Sequence, residues 1–200
     1  MKIATWNVNS IRTRKDQVLA FLAEEAPDVV GLQEIKVTDD QFPAAAFQEA
    51  GYTPVVHGQK TYNGVAFLVR NDALTAEEVV RGFPDDGDEA QSRLIAARFG
   101  PLRLVNIYLP NGSEVGSEKY AYKLDWMERL RGYLDRALDP GEPVLLVGDF
   151  NVAPEDRDVY DADALRDRIL FSEPEKQALE RIRDWGFSDC FRRHHEEGGL

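Results

Sequence analysis

Apolar residues fall along this chain in short blocks, and the spacing within each block says which element it builds. Ile3 to Val8 and Val29 to Gln33 are brief apolar runs of strand length. The second is apolar almost throughout, as a strand buried on both faces should be. Val65 to Val69, Leu94 to Phe99, Leu102 to Leu109 and Val144 to Val147 repeat the pattern. Gly100-Pro101 between two of these runs marks a tight turn, so that pair reads as a hairpin. Helical spacing appears twice at length. Arg14 to Glu25 carries Val18, Leu19, Phe21 and Leu22 on one side. Ser117 to Leu138 places Tyr120, Leu124, Met127, Leu130 and Leu134 on one stripe. Ser172 with Glu175 three residues on is a capping-box signal, and it predicts a helix through Leu179, Ile182 and Trp185. Strands and helices mix with hairpins, which is an α/β chain rather than a pure succession of parallel units.

Length and composition narrow the class. The 200 residues suit one domain over 1–200, with 43% hydrophobic and 30% charged residues. The longest apolar runs are far too short to span a bilayer, and the N-terminal Met-Lys-Ile-Ala-Thr-Trp-Asn has no signal-peptide core. A single cysteine, Cys190, rules out an internal disulfide and fits a reducing cytoplasm. Beside Phe191 it reads as a small core residue. The net charge of -12 argues on its face against a nucleic-acid partner, which asks for Lys and Arg. Carboxylates that hold a divalent cation reverse that logic, because the cation then meets the phosphate. The Asp85 to Glu89 run reads as a solvated acidic surface.

The chemistry is concentrated where strands end. The first strand runs into Asn7 and Asn9, the second into Gln33-Glu34. The hairpin's later strand passes Asn106 and Tyr108 to Asn111, and the last runs into Asp149 and Asn151. Binding groups gather where rigid strands hand over to loops. Carboxylate and amide oxygens without His or Cys suit a hard ion, Mg2+ or Mn2+, rather than zinc. Each residue has a plainer explanation when taken alone. Asn7 and Asn9 suit Asx turns, Glu34 an exposed acid, Gly148 to Asn151 a turn, and Tyr108 a core aromatic. It is the coincidence of four strands closing this way that points to a site.

Trp6-Asn7-Val8-Asn9-Ser10-Ile11-Arg12, Leu32-Gln33-Glu34-Ile35-Lys36, Leu109-Pro110-Asn111-Gly112 and Gly148-Asp149-Phe150-Asn151 resemble, in collinear order, the motifs of the exonuclease III-type AP endonucleases. These belong to the endonuclease/exonuclease/phosphatase superfamily. His57 to Lys60 with Asn63 to Ala66 looks like that family's DNA-facing loop, and Trp185 to Arg192 like a further segment. The resemblance implies a four-layer αββα sandwich, two packed mixed sheets flanked by helices. It implies magnesium-dependent hydrolysis 5′ to abasic sites and 3′-to-5′ exonuclease activity on duplex DNA. Glu34 would be the principal metal ligand, with Asn7, Asp149 and Asn151 in the same network. Asp149 would orient or deprotonate the attacking water, Asn151 would support the phosphate, and Tyr108 and Asn111 would act beside it. Arg12, Lys36, Tyr62, Asn63, Gly64 and Arg93 would contact the DNA. The implied partner is duplex DNA with abasic sites or 3′ ends, with no membrane and a monomeric enzyme in the cytoplasm.

The sequence also departs from the family pattern. The family's terminal Asp-His pair and the tryptophan-rich segment before it have no counterpart, and His194 and His195 are poor substitutes. This predicts a C-terminally incomplete sandwich with reduced catalysis. Two other readings stand beside the nuclease: a superfamily phosphoesterase acting on a phospholipid or inositol phosphate, and a catalytically silent DNA-binding fragment.

Overall fold

Four of the six apolar runs become inner strands, and Ile3 to Val8 and Val144 to Val147 become edge strands. In the computed structural model, which describes residues 1–87 and 90–195, the strand Val29–Gln33 (β2) is buried at every residue. It lies between Ile3–Asn7 (β1), parallel to it, and Val65–Arg70 (β4), antiparallel. Tyr52–His57 (β3) closes this first sheet on the other side of β4. The second sheet has the same plan, with one parallel and two antiparallel pairings. Glu77–Arg81 (β5), Leu94–Phe99 (β6) and Leu102–Tyr108 (β7) run antiparallel, and Val144–Asp149 (β8) lies parallel to β7. The expected hairpin at Gly100-Pro101 is the β6–β7 turn.

Two compact units divide the chain. Met1–Tyr108 with Glu142–Asp149 forms the first, and Leu109–Gly141 with Phe150–Leu200 the second. Both sheets belong to the first unit. Their inner faces share one apolar layer, with Val29, Val65 and Phe67 of one sheet against Ile95, Phe99 and Leu104 of the other. The outer face of the β1–β4 sheet is covered by helices Ile11–Glu25 (α1) and Ala44–Glu49 (α2). Val18, Leu22 and Phe47 pack there on Val30, Leu32 and Leu68. Helix α1 begins one turn before the periodicity predicts, because Ile11 is itself buried.

One polar group crosses the apolar layer. Asn106 on β7 is fully buried. Its amide nitrogen donates to the carbonyls of Leu32 (3.0 Å) and Ala66 (3.1 Å), on the opposite sheet. Its oxygen accepts from Gln33 Nε2 at 2.6 Å. Every polar atom of that amide is therefore satisfied, which is the condition for burying it. Gly31 makes the approach feasible, since a Cβ there would stand 3.1 Å from Asn106 Cγ.

The second unit is helical. Glu118–Ala137 (α3) is capped by Ser117, whose hydroxyl accepts from the Tyr120 N–H. After the short helix Ala162–Leu165 (α4), Glu173–Arg183 (α5) starts with the predicted capping box of Ser172 and Glu175. Trp185 lies just beyond its end. Cys190 is exposed rather than in the core, because it sits in the irregular segment past α5 and not on the buried face of a helix or strand. His194 and His195 are exposed, and His195 stacks on Phe191. In the acidic run Asp85 is exposed, whereas Asp86 caps the Phe83 N–H at 2.7 Å; Asp88 and Glu89 lie outside the described residues.

Candidate active site

The two parallel strand pairs deliver the chemistry. Register places Asn7 beside Gln33 at the carboxyl ends of β1 and β2, and Tyr108 beside Asp149 at the carboxyl ends of β7 and β8. Because the sheets pack face to face, these ends meet. Asn7 Nδ2 donates one proton to Glu34 Oε1 at 2.7 Å and the other to Asp149 Oδ2 at 2.8 Å. Asn7 Oδ1 accepts the Asn9 N–H at 3.0 Å. All three contacts agree on the amide's orientation, so Asn7 presents its nitrogen, not its oxygen, to the two carboxylates. Lys36 completes the group, with Nζ 2.9 Å from Glu34 Oε2 and a hydrogen bond to Asn9 Oδ1.

The backbone here is held in an uncommon state. Asn9, Ser10, Glu34 and Lys36 all have positive φ, at 43°, 94°, 53° and 55°. Such conformations cost free energy and persist only where neighbours over-determine them. The Ser10 N–H donates to the Glu34 carbonyl (2.7 Å), the Ile35 N–H to the Gly64 carbonyl (3.1 Å), and the Lys36 N–H to the Asn63 carbonyl (3.0 Å). The strand-end loops thus fix each other, and Glu34 is aimed by backbone rather than left to rotate freely.

Electrostatics follow from burial and pairing. Burial works against ionised Glu34, but hydrogen bonds from Asn7 and Lys36, the charge of Lys36 and a hydrogen bond from Tyr108 outweigh it and hold the carboxyl below its ordinary range. Tyr108 is pushed up to about 12, first by burial and then by the negative charge of Glu34. The phenol therefore keeps its proton at neutral pH and donates to Glu34. This environment favours a hydrogen-bond donor at Tyr108 over a phenolate. The Arg93 guanidinium lies 4.7 Å from the Tyr108 ring centroid, and its Nη1 donates to the Tyr108 carbonyl at 3.1 Å.

The residues expected to touch DNA divide. Arg93 is buried against Tyr108 and bonded to Gln91 at 2.6 Å, so it braces the cluster. Lys36 is engaged with Glu34. Asn63 and Gly64 back the Glu34–Lys36 loop through their carbonyls, with the Asn63 side chain buried on Gln59. Arg12 lies on the surface with Gln41, and Tyr62 is 68% exposed.

Asn111 and Asn151 belong to the second unit. They follow Tyr108 and Asp149 by three and two residues in the chain. Asn111 Nδ2 donates to Asn151 Oδ1 at 3.4 Å, and Asn151 Nδ2 to the Leu109 carbonyl at 2.9 Å. Beneath them lies a residue the sequence reading passed over. Lys123 is fully buried, yet it sits on the apolar stripe of α3 between Tyr120 and Met127. A charge on such a stripe was the available signal.

Comparison with known proteins agrees with the motifs. The family model described as the endonuclease/exonuclease/phosphatase family matches residues 4–196. The chain belongs to this family. It is 37% identical to an exodeoxyribonuclease III of Haemophilus influenzae and 34% identical to an exodeoxyribonuclease of Bacillus subtilis, in each case over 96% of this chain and 75% of the relative. Among solved structures, a 3′ phosphatase from Neisseria bound to a product DNA hairpin superposes with a TM-score of 0.93 at 40% identity, covering 99% of this chain and 76% of that one. An AP endonuclease from Archaeoglobus fulgidus gives 0.92 at 40% identity, covering 98% and 75%. The family's α/β sandwich, with two mixed sheets flanked by helices, is therefore the fold of this chain.

Proposed function

We propose that this protein is a DNA-repair nuclease that hydrolyses phosphodiester bonds with the help of Mg2+, cutting 5′ to abasic sites and trimming 3′ ends of duplex DNA. It acts as a monomer in the cytoplasm. The observation that carries the reading is the Asn7-bridged pair of carboxylates, Glu34 and Asp149, at the carboxyl ends of the two parallel strand pairs. The similarity to exodeoxyribonucleases and to an AP endonuclease supports DNA as the substrate. Among the described residues no helix is long and apolar enough to cross a membrane, and no group of three or more His, Cys, Asp or Glu gathers to cage a metal.

That donor set fits magnesium. Mg2+ keeps several of its waters and takes one or two protein carboxylates together with substrate phosphate oxygens. Glu34 would be the main ligand, with Asp149 and Asn151 in the surrounding network, and Asn7 would orient both carboxylates through its nitrogen. Bound there, the cation supplies positive charge against the phosphate and the departing 3′-oxygen.

The chain's own residues supply the remainder. Asp149, steadied by Asn7, takes the proton of the attacking water. Tyr108, still protonated, turns its one hydrogen bond from Glu34 to the oxygens that gather charge in the transition state. Asn111 and Asn151 offer amide donors to the phosphate without adding negative charge. An abasic nucleotide has no base to unstack, so it leaves the helix at lower cost than a normal one.

Incision of a duplex oligonucleotide bearing one abasic site tests this. The wild-type chain with Mg2+ should yield a product ending in a 3′-hydroxyl. Asp149→Ala should slow the cut by roughly 10³-fold. An absence of nicking by folded wild-type protein, or equal nicking by the variant, would remove the nuclease reading.

A further inference from the structure

A buried ammonium ties together the two segments that carry Asn111 and Asn151. Lys123 Nζ donates to the Asn111 carbonyl at 3.2 Å and to the Asn151 carbonyl at 2.7 Å. Its third acceptor is Glu175 Oε1. Each of these can take one of the ammonium's protons, and the lysine and the glutamate are both fully buried.

Glu175 is itself fixed from several sides. It accepts the Leu170 N–H (3.1 Å), the Ser172 N–H (3.1 Å) and the Ser172 hydroxyl (2.6 Å). The Ser172 hydroxyl also contacts Tyr120 Oη at 2.7 Å. The capping box at the start of α5 therefore doubles as an anchor for a lysine one helical turn from Tyr120 on α3. The segment above the lysine is shaped to it. Gly112 has φ 93°, and a Cβ there would lie 3.0 Å from Lys123 Cδ and 2.8 Å from Ile169 Cδ1. Asn151 sits at φ 47°, in the left-handed region that a backbone hydrogen bond helps to hold.

We infer that Lys123, anchored by Glu175, is a positioning residue that sets the relative placement of the Asn111 and Asn151 amides used in phosphate hydrolysis. A buried ion pair is a weak source of net stability, and a leucine or methionine would fill a helix stripe as well. What the charge adds is direction. It draws the two backbone carbonyls onto one point, and so brings the side-chain amides of the same residues within 3.4 Å of one another. The inference rests on the nuclease reading for its chemical consequence, but its structural part stands apart from that reading.

Two measurements on the full chain separate these parts. In abasic-site nicking, Lys123→Met should lower kcat by about 10²-fold while KM for the duplex changes less than about threefold. Lys123→Arg, which keeps the charge, should recover most of the loss. Glu175→Gln leaves the capping hydrogen bonds in reach and should show a smaller defect of the same kind, which keeps the test open should Lys123→Met fail to fold. In parallel, the side-chain NH2 signals of Asn111 and Asn151 in NMR spectra should shift or broaden in Lys123→Met, while those of Asn7 stay in place. A folded Lys123→Met with wild-type kcat, or with unmoved Asn111 and Asn151 signals, overturns the inference. Wild-type protein that cannot nick would sink the nuclease reading alone, and the NMR comparison would still decide the positioning role.

Discussion

A single amide decides the character of the candidate site. Asn7 has two N–H groups, and each goes to a different carboxylate. An aspartate of the same shape would add a third negative charge and remove both donors. The residue's usual turn-making role and its role here coexist, because its oxygen still accepts the Asn9 N–H as an Asx turn requires. At the far end of β3, burial holds His57 below its ordinary value of 6.5, against the opposing charge of Asp39, with Arg81 lowering it and Asp86 raising it further. The depressed value has a stability consequence. As pH falls through 6.5 the unfolded chain takes up a proton before the folded one does, so stability declines from that point down to the folded value. Urea midpoints measured at pH 7.5 and 5.5 should fall more in the wild type than in His57→Gln, and equal declines would place the titration elsewhere.

Among the strands, six were legible in the sequence, the four interior ones and the edge strands β1 and β8. β2, β4, β6 and β7 are interior strands of their sheets, and their apolar runs leave little choice of structure. The two strands that periodicity does not announce, β3 and β5, are both edges. β3 contains Pro54, tolerated where one side of the strand lacks a partner. β5 reads Glu-Glu-Val-Val-Arg and breaks register between Glu77 and Val80, with Glu78 at φ 48°. Charge and irregularity are how edges avoid pairing with other chains. The link between the sheets gives a prediction at this scale. Asn106→Ala takes from Gln33 Nε2 the nearest of its acceptors, leaving it Thr5 Oγ1 and the Gly31 carbonyl, and takes the cross-sheet donors from the Leu32 and Ala66 carbonyls. It should cost about 2–4 kcal/mol in urea unfolding, whereas Thr53→Ala on the exposed edge should cost under about 0.5 kcal/mol. Comparable losses for the two would mean that the cross-sheet amide contributes no more than a surface contact.

For the molecule as a whole, the net charge of -12 sets a condition on binding. Lys36 and Arg93, two of the cations expected to meet DNA, are committed to Glu34 and Tyr108. Divalent cation at the carboxylates should then control how well the acidic chain holds a polyanion. Binding of an abasic duplex by Asp149→Asn should weaken by about tenfold or more when Ca2+ is replaced by EDTA; equal binding in both would move the phosphate contacts to arginine and lysine side chains. The sequence by itself determined the α/β class, the inner strands, the long helices and the ends of strands at which polar residues collect, because periodicity and burial act over a few neighbouring residues. It also carried the family, through motifs whose order survives in one chain. Only the tertiary structure decided that Asn7 offers nitrogen rather than oxygen, that Arg93 is a brace for Tyr108, that Cys190 faces solvent, and that Lys123 is buried on Glu175. Each of these depends on partners far away in the chain, and a side chain's orientation, charge state and exposure are set by those partners rather than by its neighbours in sequence.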